Sequence, residues 1–225
     1  MLDVSRADLA AGVAGAGTMG RGIVQVLAQC GVRTLVYDAQ PGAAGKARAL
    51  LGETLGKLVE RGKLERSAAD AALSRIEVVE RLEGLARCQV VVEAIVEELG
   101  AKRELFAKLE SIVGGECILA SNTSSLSVTA MAAACKRPQR VAGYHFFNPV
   151  PLMKVVEVVA GELTEPWATD ALAALARRFG HAPILCRDTP GFVVNHAGRA
   201  YVPEALRILS EGIADFAAID RILVE

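Results

Sequence analysis

Residues 15–20 read Gly-Ala-Gly-Thr-Met-Gly, a G-x-G-x-x-G string with a short apolar run, Ala11–Ala14, in front of it. Behind it, Ile23, Val24, Leu27 and Ala28 recur on one helical face. A strand that turns on glycines straight into a helix leaves few folds open. Gly15 permits the tight turn, Gly17 lets backbone approach a pyrophosphate, and Gly20 allows close helix–strand packing. Thr18 and Met19 open the helix, whose free N–H groups and positive dipole end suit phosphates. A second run, Thr34–Tyr37, ends at Asp38, eighteen residues beyond Gly20. Asp38 can accept hydrogen bonds from ribose hydroxyls and would repel a 2′-phosphate. Ala39 and Gln40 follow, with no Arg to bind such a phosphate, so NAD is expected rather than NADP. The alternative is an ordinary glycine-rich turn; the complete strand–helix–strand unit argues against it.

Further runs of β type are Ile76–Val79, Val90–Ala94, Cys117–Ala120, Val141–His145, Val155–Val159 and Ala182–Cys186. Helical patterns lie between many of them: Leu50, Leu51, Thr54, Leu55 and Leu58, then Leu105, Leu109, Ile112 and Val113. Continuous apolar strands such as Val90-Val-Val are buried on both faces. The alternation predicts an α/β chain of Rossmann type, with a doubly wound, mostly parallel sheet. The texture changes after Asp188-Thr-Pro-Gly191. Phe192 to Ser210 reads as one long helix with Pro203 as its expected kink, and Gly212 is placed to end it. Asp215 is the expected N-cap of a second helix with Phe216, Ile219 and Ile222 on one face. The expected division is a dinucleotide-binding domain over 1–188 and a short all-helical segment over 189–225. The last helix stops at Glu225 without a cap, so the helical part is expected to be incomplete.

The 25 Lys and Arg against 26 Asp and Glu argue against a nucleic-acid binder, which needs a basic face. No apolar run approaches the ~18 to 20 residues of a membrane span, and the first eight residues make a poor signal peptide. The five cysteines are Cys30, Cys88, Cys117, Cys135 and Cys186, an odd number with no C-x-x-C pair. Four sit among apolar or small residues, which suggests buried thiols. Disulfides and a zinc site are poorly supported. A reducing, cytoplasmic location is expected.

His145 closes the run Arg140–His145, at a strand end where ligands of a parallel sheet bind. Twelve residues on, Glu157 lies among four valines. It is either the exposed alternate of an edge strand or a buried acid with a partner. A buried carboxylate needs a donor, and His145 is the natural candidate, because an imidazole backed by a carboxylate serves as a general base. Ser121-Asn-Thr-Ser124-Ser125 supplies hydroxyls at another strand end, or an N-cap for the next helix. Asn195 follows Thr189-Pro-Gly-Phe192, where an ordinary surface amide is the alternative.

Together these strings resemble the L-3-hydroxyacyl-CoA dehydrogenase family. The matches are Gly-Ala-Gly-Thr-Met-Gly, Val-Val-Glu93-Ala-Ile-Val-Glu97, Ala-Ser-Asn-Thr-Ser124-Ser, His145-Phe-Phe-Asn-Pro-Val-Pro, Lys154-Val-Val-Glu157-Val-Val and Asp-Thr-Pro-Gly-Phe-Val-Val-Asn195, in family order. The resemblance implies that His145 is the catalytic base and Glu157 its orienting partner. It implies that Ser124 and Asn195 bind the reacting oxygen. Glu97, Lys102, Asn148 and Ser124 would lie near the nicotinamide half of NAD. The substrate would be an acyl-CoA, with Lys57 and Arg61 on a helix that meets its phosphates or forms a plain solvated face. Homodimerisation through the C-terminal helices is implied too. His196 stands where the family often has Arg, and His181 reads as an ordinary strand-end residue. Two other readings stay open: a related dehydrogenase of a free hydroxy acid, of gulonate or carnitine type, and a non-catalytic NAD-binding protein.

Overall fold

The computed structural model describes residues 2–224. Eight strands form one sheet: β1 (Ala10–Ala14), β2 (Arg33–Tyr37), β3 (Ile76–Val78), β4 (Val90–Glu93), β5 (Ile118–Ser121), β6 (Val141–Phe146), β7 (Val155–Ala160) and β8 (Ala182–Arg187). Their order is β3-β2-β1-β4-β5-β6-β7-β8. The reversal between β1 and β4 is the switch point where ligands of doubly wound sheets bind. Pairing is parallel from β3 to β6. β7 then runs antiparallel to β6, and β8 parallel to β7.

Helices cover both faces, which is why the central strands read as unbroken apolar runs. β1, β4, β5 and β6 are buried at every position. Successive side chains serve opposite layers: Val90 and Val92 face one core, Val91 the other. The first core takes Ile23, Val24 and Leu27 from α1 (Thr18–Gln29), Leu51 and Leu55 from α2 (Ala43–Glu60), Ala69 and Ala72 from α3 (Arg66–Ser74), and Leu172 and Leu175 from α6 (Pro166–Arg178). The second takes Phe106 and Leu109 from α4 (Leu99–Ile112) and Val128 and Met131 from α5 (Val128–Ala132). Full burial of each of these Leu, Ile, Val, Met and Phe side chains contributes roughly 1.5–3 kcal/mol.

The same alternation places the polar residues. Glu93 and Ser121 share the face of Val91 and Leu119; His145 and Glu157 share that of Val141 and Val159. All four therefore belong to the layer of α4 and α5. The β6–β7 register sets His145 directly opposite Glu157. Glu157 is fully buried on an interior strand, so the edge-strand alternative is excluded.

Among the described residues only helices follow β8: α7 (Val194–Arg199), α8 (Tyr201–Ser210) and α9 (Phe216–Val224). This corrects the single helix expected from Phe192. Phe192 lies outside it with φ of 49°, and the break falls at Ala200 rather than at a kink on Pro203. Within a continuous helix, Pro203 would clash with the carbonyl of residue 199 and leave it unpaired. Starting a new helix at Tyr201 puts Pro203 in a first turn, where its missing N–H costs nothing. Gly212, with φ of 68°, ends α8. Asp215 accepts from the Ala218 amide at 2.8 Å, as its capping role requires.

Candidate active site

The glycine turn follows β1 at the switch point. Gly15 has φ of 109° and donates to the Tyr37 carbonyl at 2.8 Å. A Cβ there would collide with the Ala94 carbonyl, and one at Gly20 with the Gly15 carbonyl. At Gly17 a Cβ would meet no protein atom within 4 Å. That contrast separates glycines required by the chain from one required by something else. The open cradle before the α1 N-terminus, flanked by Thr18 and Met19, fits a dinucleotide pyrophosphate. Asp38 ends β2 and accepts from the Ala16 amide at 2.7 Å and the Gln40 amide at 2.8 Å. It holds the turn in place, and its remaining lone pairs suit ribose hydroxyls. Beside it a cavity of about 200 Å³ is lined by Gly15, Tyr37, Ala39, Leu82, Ile95 and Leu105, among others. Together these residues fit NAD.

At the ends of β4, β5 and β6 lies a second cleft of about 420 Å³. Its lining includes Met19, Glu97, Asn122, Ser124, His145, Asn148 and Asn195. His145 is 5% exposed and Glu157 not at all. The Nδ1–H tautomer of His145 donates to Glu157 Oε2 at 2.7 Å, leaving Nε2 free. Glu157 Oε1 accepts from the Val193 and Val194 amides, each at 2.8 Å. Phe147 and Phe192 flank the imidazole, at centroid distances of 4.5 and 5.7 Å. Asn195 donates to the Ser124 carbonyl at 3.4 Å. A free imidazole nitrogen with a carboxylate behind it can move one proton, and the nearby hydroxyl and amide can donate to an oxygen.

A buried network that the residue pattern did not indicate supports the same cleft. Glu93, fully buried, accepts from Lys102 Nζ at 2.5 Å, Ser121 Oγ at 2.6 Å and the Ile95 amide at 2.7 Å. Lys102, 1% exposed, also pairs with Glu97 Oε2 at 3.2 Å. Glu97 Oε1 accepts from Thr123 Oγ1 at 2.6 Å and the Ser124 amide at 2.9 Å, with Ser124 Oγ at 3.3 Å. Burial pushes the Glu97 carboxyl up, but these hydrogen bonds and the Lys102 ammonium together hold it below the usual carboxylate range. Asn122 was also missed; its Oδ1 accepts from the Phe146 amide at 2.9 Å and fixes the strand end that carries His145. From the residue pattern alone, Glu93 shows only as an acid closing a run of valines.

Lys57 and Arg61 do not reach either cleft: both are exposed, Lys57 on the last turn of α2 and Arg61 just beyond its end. A neighbouring α2 face, with Leu51, Thr54 and Leu58, lines a groove of about 540 Å³ together with Arg21, Gln25 and the loop from Asn148 to Leu152. Asn148 borders both this groove and the His145 cleft. His181 is more than a strand-end residue: buried, with Nε2 2.9 Å from the Val150 carbonyl, it braces that loop. His196 is exposed. All five cysteines are free; only Cys88 and Cys117 are buried, and the other three are half-buried. No cluster of His, Cys, Asp or Glu among the described residues has the geometry to hold a metal ion. No helix of the described residues is long and apolar enough to cross a membrane.

Residues 10–189 match the family described as 3-hydroxyacyl-CoA dehydrogenase, NAD binding domain. The chain is 43% identical over 212 residues to a probable 3-hydroxybutyryl-CoA dehydrogenase of Deinococcus radiodurans, covering 94% of this chain and 76% of that protein. It is 42% identical to the 3-hydroxyadipyl-CoA dehydrogenase of Escherichia coli, of which it spans 44%. Among solved structures, the 3-hydroxybutyryl-CoA dehydrogenase of Escherichia coli K12 superposes with a TM-score of 0.89 at 42% identity, over 92% of this chain and 44% of that one. The (S)-3-hydroxybutyryl-CoA dehydrogenase of Ralstonia eutropha gives 0.88 at 37% identity, over 93% and 74%.

Proposed function

This chain belongs to the 3-hydroxyacyl-CoA dehydrogenase family, and from that membership and the cleft geometry we propose that it interconverts an L-3-hydroxyacyl-CoA and its 3-keto form with NAD. The observation that carries the proposal is the buried His145–Glu157 contact of 2.7 Å, in a cleft that also holds Ser124, Asn195 and Met19 of the dinucleotide turn. Homologues named as 3-hydroxybutyryl-CoA dehydrogenases support the substrate class.

When bound, NAD supplies the hydride acceptor for oxidation and the donor for reduction. Gly15, Gly17, Thr18, Met19 and Gly20 would hold its pyrophosphate, and Asp38 a ribose. Glu97, Lys102, Ser124 and Asn148 would border its nicotinamide half. In oxidation, His145 Nε2 takes the proton of the 3-hydroxyl. Glu157 fixes the tautomer through Nδ1–H and stabilises the imidazolium that forms. Ser124 and Asn195 donate to the oxygen as its charge develops. In reduction, His145 returns the proton to the 3-keto oxygen.

The groove beside Asn148 is the place for the rest of the acyl-CoA, so Thr54 and Arg21 line its path more closely than Lys57 and Arg61 do. Exposed Tyr201, Val202, Leu206, Phe216 and Ile222 give α8 and α9 an apolar face, which supports pairing of two copies through these helices. The free thiols suit the cytoplasm.

The test is a substrate panel. NADH oxidation is followed with acetoacetyl-CoA and free acetoacetate and repeated with NADPH, and NAD reduction is followed with a free sugar acid. Turnover should require the CoA thioester and NADH. Preferential turnover of a free acid would replace this reading with the hydroxy-acid one. NADH binding without turnover of any of them would make the chain a binding protein.

A further inference from the structure

Glu157 has two carboxylate oxygens, and the acid–base role uses one. The other, Oε1, receives the two 2.8 Å hydrogen bonds from the Val193 and Val194 amides. These amides are delivered by the turn Thr189–Phe192, just beyond the last strand. Gly191 and Phe192 both have positive φ there, 79° and 49°. Phe192 is the one non-glycine residue with positive φ among the described residues. That conformation is disfavoured for any residue with a Cβ, and such outliers persist where their surroundings over-determine them.

The surroundings do so here. The Phe192 ring is buried beside the His145 ring, and its amide donates to the Thr189 carbonyl at 3.0 Å. At the head of the turn, Asp188 accepts from Ser127 Oγ at 2.7 Å and from the Val128 and Thr129 amides at 3.0 and 2.8 Å. The turn is therefore tied to α5 at its start and to Glu157 at its end.

A fully buried carboxylate needs its charge met by donors. While His145 is neutral it offers Glu157 a single N–H. We infer that the 189–194 turn is a positioning element of the acid–base pair. The Val193 and Val194 amides hold the Glu157 charge and fix its rotamer, so that Oε2 stays on Nδ1; Gly191 and Phe192 are the positioning residues that aim them. The inference rests on the acid–base reading of His145. It makes the strained turn part of the chemistry as well as the link to the helices.

The test deletes one of the two amides in one variant and disturbs the turn that aims both in another. In one variant Val194 is replaced by its α-hydroxy acid counterpart, so that an ester lacks the N–H. A second is Gly191→Ala, whose Cβ would have only ordinary contacts, the nearest 3.4 Å from the His196 nitrogen, but an unfavourable φ. Gly191→Asn, which tolerates that φ, is the rescue. The ester and the Ala variant should lower kcat for acetoacetyl-CoA reduction by about tenfold, the worth of one hydrogen bond to a charged group. NADH affinity and KM should change by less than about twofold, and Gly191→Asn should recover most of the rate. The downfield proton resonance of His145 Nδ1–H should move in both impaired variants. Parental kcat in the ester variant, or a loss of rate with that resonance unmoved, would overturn the positioning role. Full turnover by His145→Ala would instead remove the acid–base reading beneath it.

Discussion

Lys102→Met tests the buried network beneath the cleft. Lys102 is 1% exposed and Glu93 is not exposed at all, so neither charge has solvent to fall back on. Removing the ammonium leaves Glu93 with two neutral donors, the Ser121 hydroxyl and the Ile95 amide. It also takes the cation from Glu97. Breaking a buried pair from one side costs about 3–5 kcal/mol, because the remaining charge is left uncompensated. At about 2–4 °C per kcal/mol for a domain of this size, Tm should fall by roughly 6–20 °C. The double variant Glu93→Gln, Lys102→Met removes both charges and should regain much of that loss. Thermal unfolding of the parent, the two single variants and the double, at one pH and salt concentration, closes the cycle. A coupling below about 0.5 kcal/mol, the size expected of independent sites, would refute the claim that the pair is held as a unit. In Lys102→Met, NADH affinity should also weaken, because Glu97 and Ser124 lose their brace.

Gly17→Ala should leave Tm unchanged, since its Cβ meets no protein atom, yet weaken NADH binding at least about tenfold by filling the cradle; titration of NADH fluorescence reads this. Glu157→Gln should lower kcat by about 10²-fold or more with KM within about twofold, because the imidazolium it stabilises is most charged near the transition state; steady-state kinetics with acetoacetyl-CoA decides it. Asp188→Asn has a pH signature. Burial pushes the Asp188 carboxyl up, but its hydrogen bonds from Thr129, Ser127 and Val128 hold it below the usual range. A depressed carboxyl contributes stability above its unfolded value of about 3.9 and loses it as pH falls through the folded value. The Tm gap between parent and variant should therefore be widest near neutrality and close below about pH 4, and a gap constant with pH would contradict the assignment.

All eight strands were legible as short runs between turns, and least ambiguously β1, β4, β5 and β6, which are buried on both faces. The His145–Glu157 pair was legible for a related reason: an acid among four valines needs a partner, and the cross-strand register supplies it. The Glu93–Lys102 pair was not. Lys102 stands beside Arg103 and Glu104 on α4, where a local reading gives a solvated charged face, and only the approach of α4 to the end of β4 buries it. The break at Ala200 was hidden because Pro203 marks a helix disturbance without fixing the turn at which it falls. Phe192 carries no residue-level sign of positive φ, because tertiary packing imposes it. Lys57 and Arg61 share a face by spacing, but which face of α2 meets the groove depends on how the helix packs.

In the proposed reaction His145 moves the substrate proton while the glycine turn independently holds the dinucleotide. His145→Ala separates the two roles, with acetoacetyl-CoA reduction and NADH affinity measured on the same preparation. Reduction should fall by at least about 10²-fold with NADH affinity unchanged. Undiminished reduction, or an equal loss of NADH affinity, would contradict this division of roles.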